Sequence, residues 1–213
     1  MEFTIRGSPS HVPLYSLIAH SCCNSVVCHC PPLTATNVVK YLGIMLDSNL
    51  LFIPHINLIT SRVRKLIYVF KNIRHVADFT IIKQVYLALA QSLISYCITV
   101  WGGAPKTFIK PLEIAQRAVL KVSTFRPYLF PTYNLYQSWE VLSVRQLFIQ
   151  LIVVKQHSCF RPDNLAITSK RRKDIVFTNR PKFRHQFANK YFPFLGPYLY
   201  NKLNKIVTVQ NLT

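Results

Sequence analysis

Carboxylates are scarce in this chain of 213 residues: Glu2, Asp47, Asp78, Glu113, Glu140, Asp163 and Asp174 are all it has, and no two lie within ten residues of each other. Two-metal nucleotidyl transfer needs clustered carboxylates to hold its ions about 4 Å apart. No local motif for that chemistry exists here. Glycine is scarce too, with five in all, none of them in a phosphate-cradling loop or a Gly-x-Ser-x-Gly turn. Nucleophilic catalysis therefore finds no support, and His55, His75 and His157 are scattered singly along the chain. The opening "MEFTIRGSPS" lacks the basic start and apolar core of a secretory signal, and the six cysteines are not spaced as a disulfide framework. The expectation is an intracellular, reduced setting, nuclear or cytoplasmic being unreadable.

What the chain does have is cations. Its 26 Lys and Arg give a formal charge of +19. Such an imbalance implies a polyanionic partner, nucleic acid first and an anionic membrane surface a distant second. Half the residues are hydrophobic, enough to bury a core.

The patterning predicts an α+β chain that is mainly α. Residues 1–54 read as short strands with a Cys-rich hairpin. "VVKYLGIMLDSNLLF" alternates loosely up to Gly43 and stops at Asp47-Ser48-Asn49, which predicts a strand, a turn there and a second short strand. Residues 55–125 read as a helical bundle. Ile56, Ile59, Val63, Leu66, Phe70, Ile73 and Ala77 recur at helical spacing, leaving Arg64, Lys65, Lys71 and His75 on the opposite face with Arg62 and Arg74 at its flanks. No acid is interleaved with these cations, so phosphate contact stands beside plain solvation as a reading of that face.

The stretch "LALAQSLISYCITVWGGAP" has no charge. Gln84, Gln91, Ser95 and Thr99 stripe it at helical spacing, which predicts a long core helix, capped by Thr80 and ended by Gly102-Gly103, in place of a membrane span. "KPLEIAQRAVLKV" predicts a further helix with Leu112, Ala115, Val119 and Val122 inward and Lys110, Glu113, Arg117 and Lys121 outward. Residues 126–160 read as a helical extension: a short helix with Tyr133, Tyr136 and Trp139, then a capping box of Ser143 and Gln146 opening another. Residues 161–213 read as a basic arm, with Lys170, Arg171, Arg172, Lys173, Arg180, Lys182 and Arg184, followed by an aromatic packing module that turns at Gly196-Pro197.

"HSCCNSVVCHC" offers the donors zinc prefers. Its Cys-Cys-x4-Cys-x-Cys spacing is not that of paired Cys-x2-Cys sites, so Cys22, Cys23, Cys28 and Cys30 remain weak ligand candidates and a reduced hairpin is the expectation.

Six phrases in order, "KYLGIMLDSNLLFIPHI", the basic helix after it, "LISYCITVWGG", "PLEIAQRAVLKV", "VLSVRQLF" and "FLGPYLYNKL", resemble the C-terminal part of reverse transcriptases from non-LTR retrotransposons of the Jockey-like kind. The resemblance covers roughly Val38 to Leu203. It implies that Lys40, Tyr41, Leu42 and Gly43 sit at the end of the polymerase palm, near the gripped primer, and that the helices from about Ile56 to Val122 correspond to the thumb. It starts just downstream of the family's metal-binding Asp pair. The implied role is sequence-nonspecific binding of RNA, DNA or their hybrid, without polymerisation by this chain alone and with no cofactor of its own. The complete enzyme, with fingers and palm, would need Mg2+. The competing expectation is a host-adopted scaffold derived from such an element and lacking nucleic-acid affinity.

Overall fold

The computed structural model describes residues 36–159 and 190–210, with 205–210 as backbone alone. The described part is mainly helical with a short two-stranded antiparallel hairpin at its start, and the chain divides into two units between His55 and Ile56. The cysteine-rich hairpin and the basic arm of the sequence reading lie outside the described residues.

In the first unit β1 (Val38–Tyr41) pairs with β2 (Ile44–Asp47), Tyr41 opposite Ile44 and Val38 opposite Asp47. The hairpin turn is Leu42-Gly43, both left-handed at φ 46° and 83°. That is the geometry a two-residue connection needs to match the twist of its strands, and Gly43 adopts it without steric cost. The expected turn at Asp47-Ser48-Asn49 exists, but it leads into a helix and no second strand follows it. The Asp47 carboxylate explains the difference, because it accepts from the backbone N–H of Leu51 at 3.1 Å and of Phe52 at 2.6 Å. These bonds hold Leu50 and Phe52 in left-handed conformations, φ 51° and 58°, that turn the chain into α1 (Ile53–Ile73). Pro54 is tolerated in that first turn because the N–H it lacks would have had no helical partner.

In the second unit the apolar stripe of α1 is buried at Ile56, Ile59, Val63 and Phe70, as its spacing predicts, with Leu66, Ile73 and Ala77 half-buried. The uncharged stretch is not one long helix. It runs as α2 (Phe79–Tyr86), a π-helical turn (Leu87–Gln91), α3 (Ser92–Ser95) and α4 (Ile98–Trp101). Its buried side chains are Ile82, Tyr86, Ala90, Ile94, Ile98 and Trp101. Each step of four residues overshoots a full α-helical turn by about 40°. The wider π turn takes up part of that drift, and left-handed Cys97 (φ 50°) resets the rest.

Across the Cys97 break the Trp101 indole N–H donates to the Tyr96 carbonyl at 2.9 Å. Thr80 lies inside the first turn of α2, with Asp78 at the cap position. Gly102 caps the end of α4, as expected, in a right-handed conformation. Its value is room, since a Cβ there would overlap the Phe148 ring and the Ile98 carbonyl.

α5 (Lys106–Ser123), α6 (Thr132–Trp139) and α7 (Val144–Ser158) follow, the last opened by the predicted capping box. Ser143 Oγ accepts from the Gln146 N–H, and Gln146 Oε1 accepts from the Ser143 N–H at 2.9 Å. Leu112, Ala115 and Val119 of α5 are buried and Val122 half-buried; Gln116 is buried with them. Trp139 meets Phe79 and Tyr86 edge-on at 5.1 and 5.5 Å, tying α6 to α2.

The last element, α8 (Phe192–Gln210), runs straight through Gly196-Pro197 where a turn was expected. Gly196 has no Cβ to hold it away from the Gln156 amide of α7. The α7–α8 contact is also joined by His157 Nδ1 and Tyr200 Oη, 2.9 Å apart, and by the Lys155 ammonium, 4.6 Å from the centre of the Phe192 ring. Among the described residues no helix is long and apolar enough to cross a membrane.

Candidate nucleic-acid interface

The cationic face of α1 lies on the side of the helix away from its buried stripe, Arg64 and Lys65 being exposed where Val63 is buried. Arg62, Arg64, Lys65 and Lys71 are all exposed, and among the described residues no carboxylate pairs with any of them. Lys83–Glu140, at 2.7 Å, is the ion pair among the described residues, and Lys83 holds the Glu140 carboxyl below its usual range. Arg74 and Lys121 instead bond backbone carbonyls, of Val122 and Tyr128.

Arg64 and Lys65 line a groove of about 490 Å³ between α1 and α5, together with Asn57, Thr60, Ser61 and Pro111. Asn57, Ser61 and Lys65 stand four residues apart on one ridge, which sets amide, hydroxyl and ammonium in line along the groove. Asn57 and Ser61 were not singled out from the sequence, although that four-residue ladder was the available signal. Thr60, by contrast, turns its hydroxyl back to the Ile56 carbonyl at 2.7 Å. Its donor is spent within the helix. The opposite wall carries Pro111, which has no N–H to give to the carbonyl of Thr107 one turn earlier.

Arg74 has a different placement from its neighbours. It is half-buried, its Nη1 donates to the Val122 carbonyl at 2.8 Å, and its guanidinium lies 4.1 Å from the centre of the Phe125 ring. The group closes the last turn of α5 and joins it to the end of α1. It is not presented to solvent like Arg62, Arg64, Lys65 and Lys71.

Lys40, Tyr41, Leu42 and Gly43 are exposed around the hairpin turn of the first unit. Lys170, Arg171, Arg172, Lys173, Arg180, Lys182 and Arg184, and the cysteines Cys22, Cys23, Cys28 and Cys30, lie outside the described residues. Among the described residues no three His, Cys, Asp or Glu side chains come together as a metal site.

A buried polar cluster on α5 joins it to α2, to α6 and to the start of α7. Gln116 Nε2 donates to Tyr86 Oη and to the Leu142 carbonyl, both at 2.9 Å. Its Oε1 accepts from Tyr136 Oη at 2.9 Å and from the Val144 N–H at 3.2 Å. Burial pushes the Tyr86 phenol up to about 12, the bond to Gln116 only partly offsetting it. Burial raises Tyr136 as well, with Tyr86 and Glu113 adding to the shift and Arg117 opposing it. Both phenols are held neutral, as bonding groups of the fold and not as acids or bases. Comparison with protein-family models, with curated proteins and with solved structures finds no match to this chain.

Proposed function

We propose that residues Val38 to Leu203 are the palm end, thumb and downstream module of a non-LTR retrotransposon reverse transcriptase, and that this part of it binds template-primer nucleic acid through its phosphates. The observation that carries the reading is the groove between α1 and α5, where Arg64 and Lys65 stand beside Asn57 and Ser61 and pair with no carboxylate among the described residues. Arg64 and Lys71 are seven residues apart, so they stand about 10.5 Å apart along one face of the helix, far enough to meet different phosphates. Contacts of this kind position a duplex without reading its sequence.

Among the described residues no three His, Cys, Asp or Glu side chains come together to hold the Mg2+ ions that the resemblance attaches to the complete enzyme. Asp47 is committed to two backbone N–H groups and Glu140 to Lys83. The chain by itself binds and does not polymerise.

The test is fluorescence anisotropy of a labelled RNA–DNA hybrid across a salt series. Affinity should fall linearly on a log–log scale, and Arg64→Gln with Lys65→Gln should lower the slope by about two. Affinity indifferent to salt would contradict phosphate binding. The scaffold reading draws on a separate observation, the exposed apolar side chains Ile81, Leu87, Leu89 and Val100 along α2–α4. It gains if the unmutated chain binds no hybrid at all.

A further inference from the structure

Between α5 and α6 the chain runs Thr124-Phe125-Arg126-Pro127-Tyr128-Leu129-Phe130-Pro131, and from Ile114 to Trp139 the sequence contains no Asp or Glu. Three aromatic rings of this loop each carry a cation. Arg74 lies 4.1 Å from the centre of the Phe125 ring, Lys121 5.6 Å from that of Tyr128 and Arg126 4.7 Å from that of Phe130. Two of the three rings are nevertheless open to solvent, Tyr128 at 88% and Phe125 at 58%, with Leu129 beside Tyr128 at 87%, while Phe130 is half-buried. Apolar rings held this far out of a folded unit lose the stabilisation of burial. Phe125 is further held at φ 53°, a conformation a side chain of that bulk resists.

We propose that this loop is a stacking platform for the bases of single-stranded nucleic acid, an inference that rests on the nucleic-acid reading of the chain and adds a second, chemically different contact to it. An exposed ring offers a π face to any base, and a cation on the other face strengthens the stack while reaching a neighbouring phosphate. The loop itself contributes no carboxylate to repel the strand. The groove between α1 and α5 holds backbone; the loop holds unpaired bases, as at the single-stranded template beyond a primer end.

An anionic membrane is the other surface that takes exposed aromatics beside cations. It fits this geometry less well. Membrane insertion buries the rings and leaves cations at the interface, whereas here the cations lie over the ring faces and would be dragged in with them.

The experiment compares the full chain with Tyr128→Ala and Tyr128→Phe, measuring anisotropy of a fluorescein-labelled oligothymidylate and of a blunt hybrid hairpin, and co-sedimentation with phosphatidylserine-containing vesicles. Tyr128→Ala should weaken oligothymidylate binding roughly tenfold, the scale of one lost base stack, and leave the hairpin within about twofold. Tyr128→Phe should keep both. The substitution spares the fold because the side chain is exposed and the Lys121 ammonium bonds the backbone carbonyl of Tyr128, which the variant retains.

Oligothymidylate affinity unchanged in Tyr128→Ala overturns the platform while leaving duplex binding by α1 intact, and a loss shared equally by both nucleic acids overturns it because the ring would then not distinguish unpaired bases from duplex. The platform also falls if Tyr128→Ala weakens only vesicle binding. Failure of the unmutated chain to bind either nucleic acid removes the underlying reading itself.

Discussion

Gln116 and Tyr86 meet head to tail in the middle of the second unit, the amide N–H of one donating to the phenol oxygen of the other at 2.9 Å. The same amide uses its remaining valences on Leu142, Tyr136 and Val144, so four hydrogen bonds converge on one side chain that is 1% exposed. A buried amide is stable only when satisfied in this way.

Replacing Gln116 by Leu keeps the volume and strands four polar groups. We predict a loss of about 3 kcal/mol or more in urea unfolding, on the basis of about 1 kcal/mol or more for each unsatisfied buried group. A midpoint unchanged from the parent would show that water replaces the amide.

The raised Tyr86 phenol makes stability fall at alkaline pH. Its folded value lies above the ordinary 10.0, at about 12, so between those values the folded chain binds more protons than the unfolded one. The stabilisation is complete below pH 10 and is lost as pH climbs toward 12. Unfolding by urea at pH 8, 10 and 11 should show this decline, and Tyr86→Phe should reduce it, buried Tyr136 keeping its own share, while costing roughly 1 kcal/mol at pH 8 through the donor left on Gln116.

Arg74→Met separates structural from ligand-binding cations. It removes the bond to the Val122 carbonyl and the stack on Phe125, for which we predict a destabilisation of about 1 to 3 kcal/mol. Hybrid affinity of the folded variant should stay within about twofold, as its guanidinium is already occupied. A loss of affinity matching that of Lys65→Gln, at full stability, would place Arg74 among the phosphate contacts.

Gly102→Ala inserts a methyl group where Phe148 and the Ile98 carbonyl already meet. Overpacking of this kind costs about 1 to 3 kcal/mol, which a thermal melt will register. Gly102→Ala with Phe148→Leu should recover part of it; no recovery would mean that the carbonyl clash dominates.

Periodicity made α1, α5 and the capped start of α7 readable in advance, because an apolar residue every three or four positions has few other meanings. The hairpin turn was not readable. Leu42-Gly43 carries no Asn or Asp, whereas Asp47-Ser48-Asn49 presents the usual turn chemistry and uses it to start a helix. In the uncharged stretch a spacing of four looked like one helix, and nothing about Cys97 announces a left-handed residue. Gly196-Pro197 signals a turn locally but packs as helix against Gln156, a tertiary partner the local sequence does not show.

At the interface, Arg62, Arg64, Lys65 and Lys71 could be placed on an exposed face from spacing alone. Arg74 could not, since its role depends on where the end of α5 arrives. Gln116 sits between inward Ala115 and outward Arg117, a boundary position where sequence assigns neither side.

The π turn at Leu87–Gln91 gives this segment a slack that α1 and α5 lack. A π turn holds one more residue than the α-helical turn it replaces. Loss of a single residue there would tighten the turn while keeping Tyr86 and Ile94 facing inward; the same deletion in α5 would rotate every side chain beyond it by about 100°. Variation in chain length should therefore be absorbed at Leu87–Gln91.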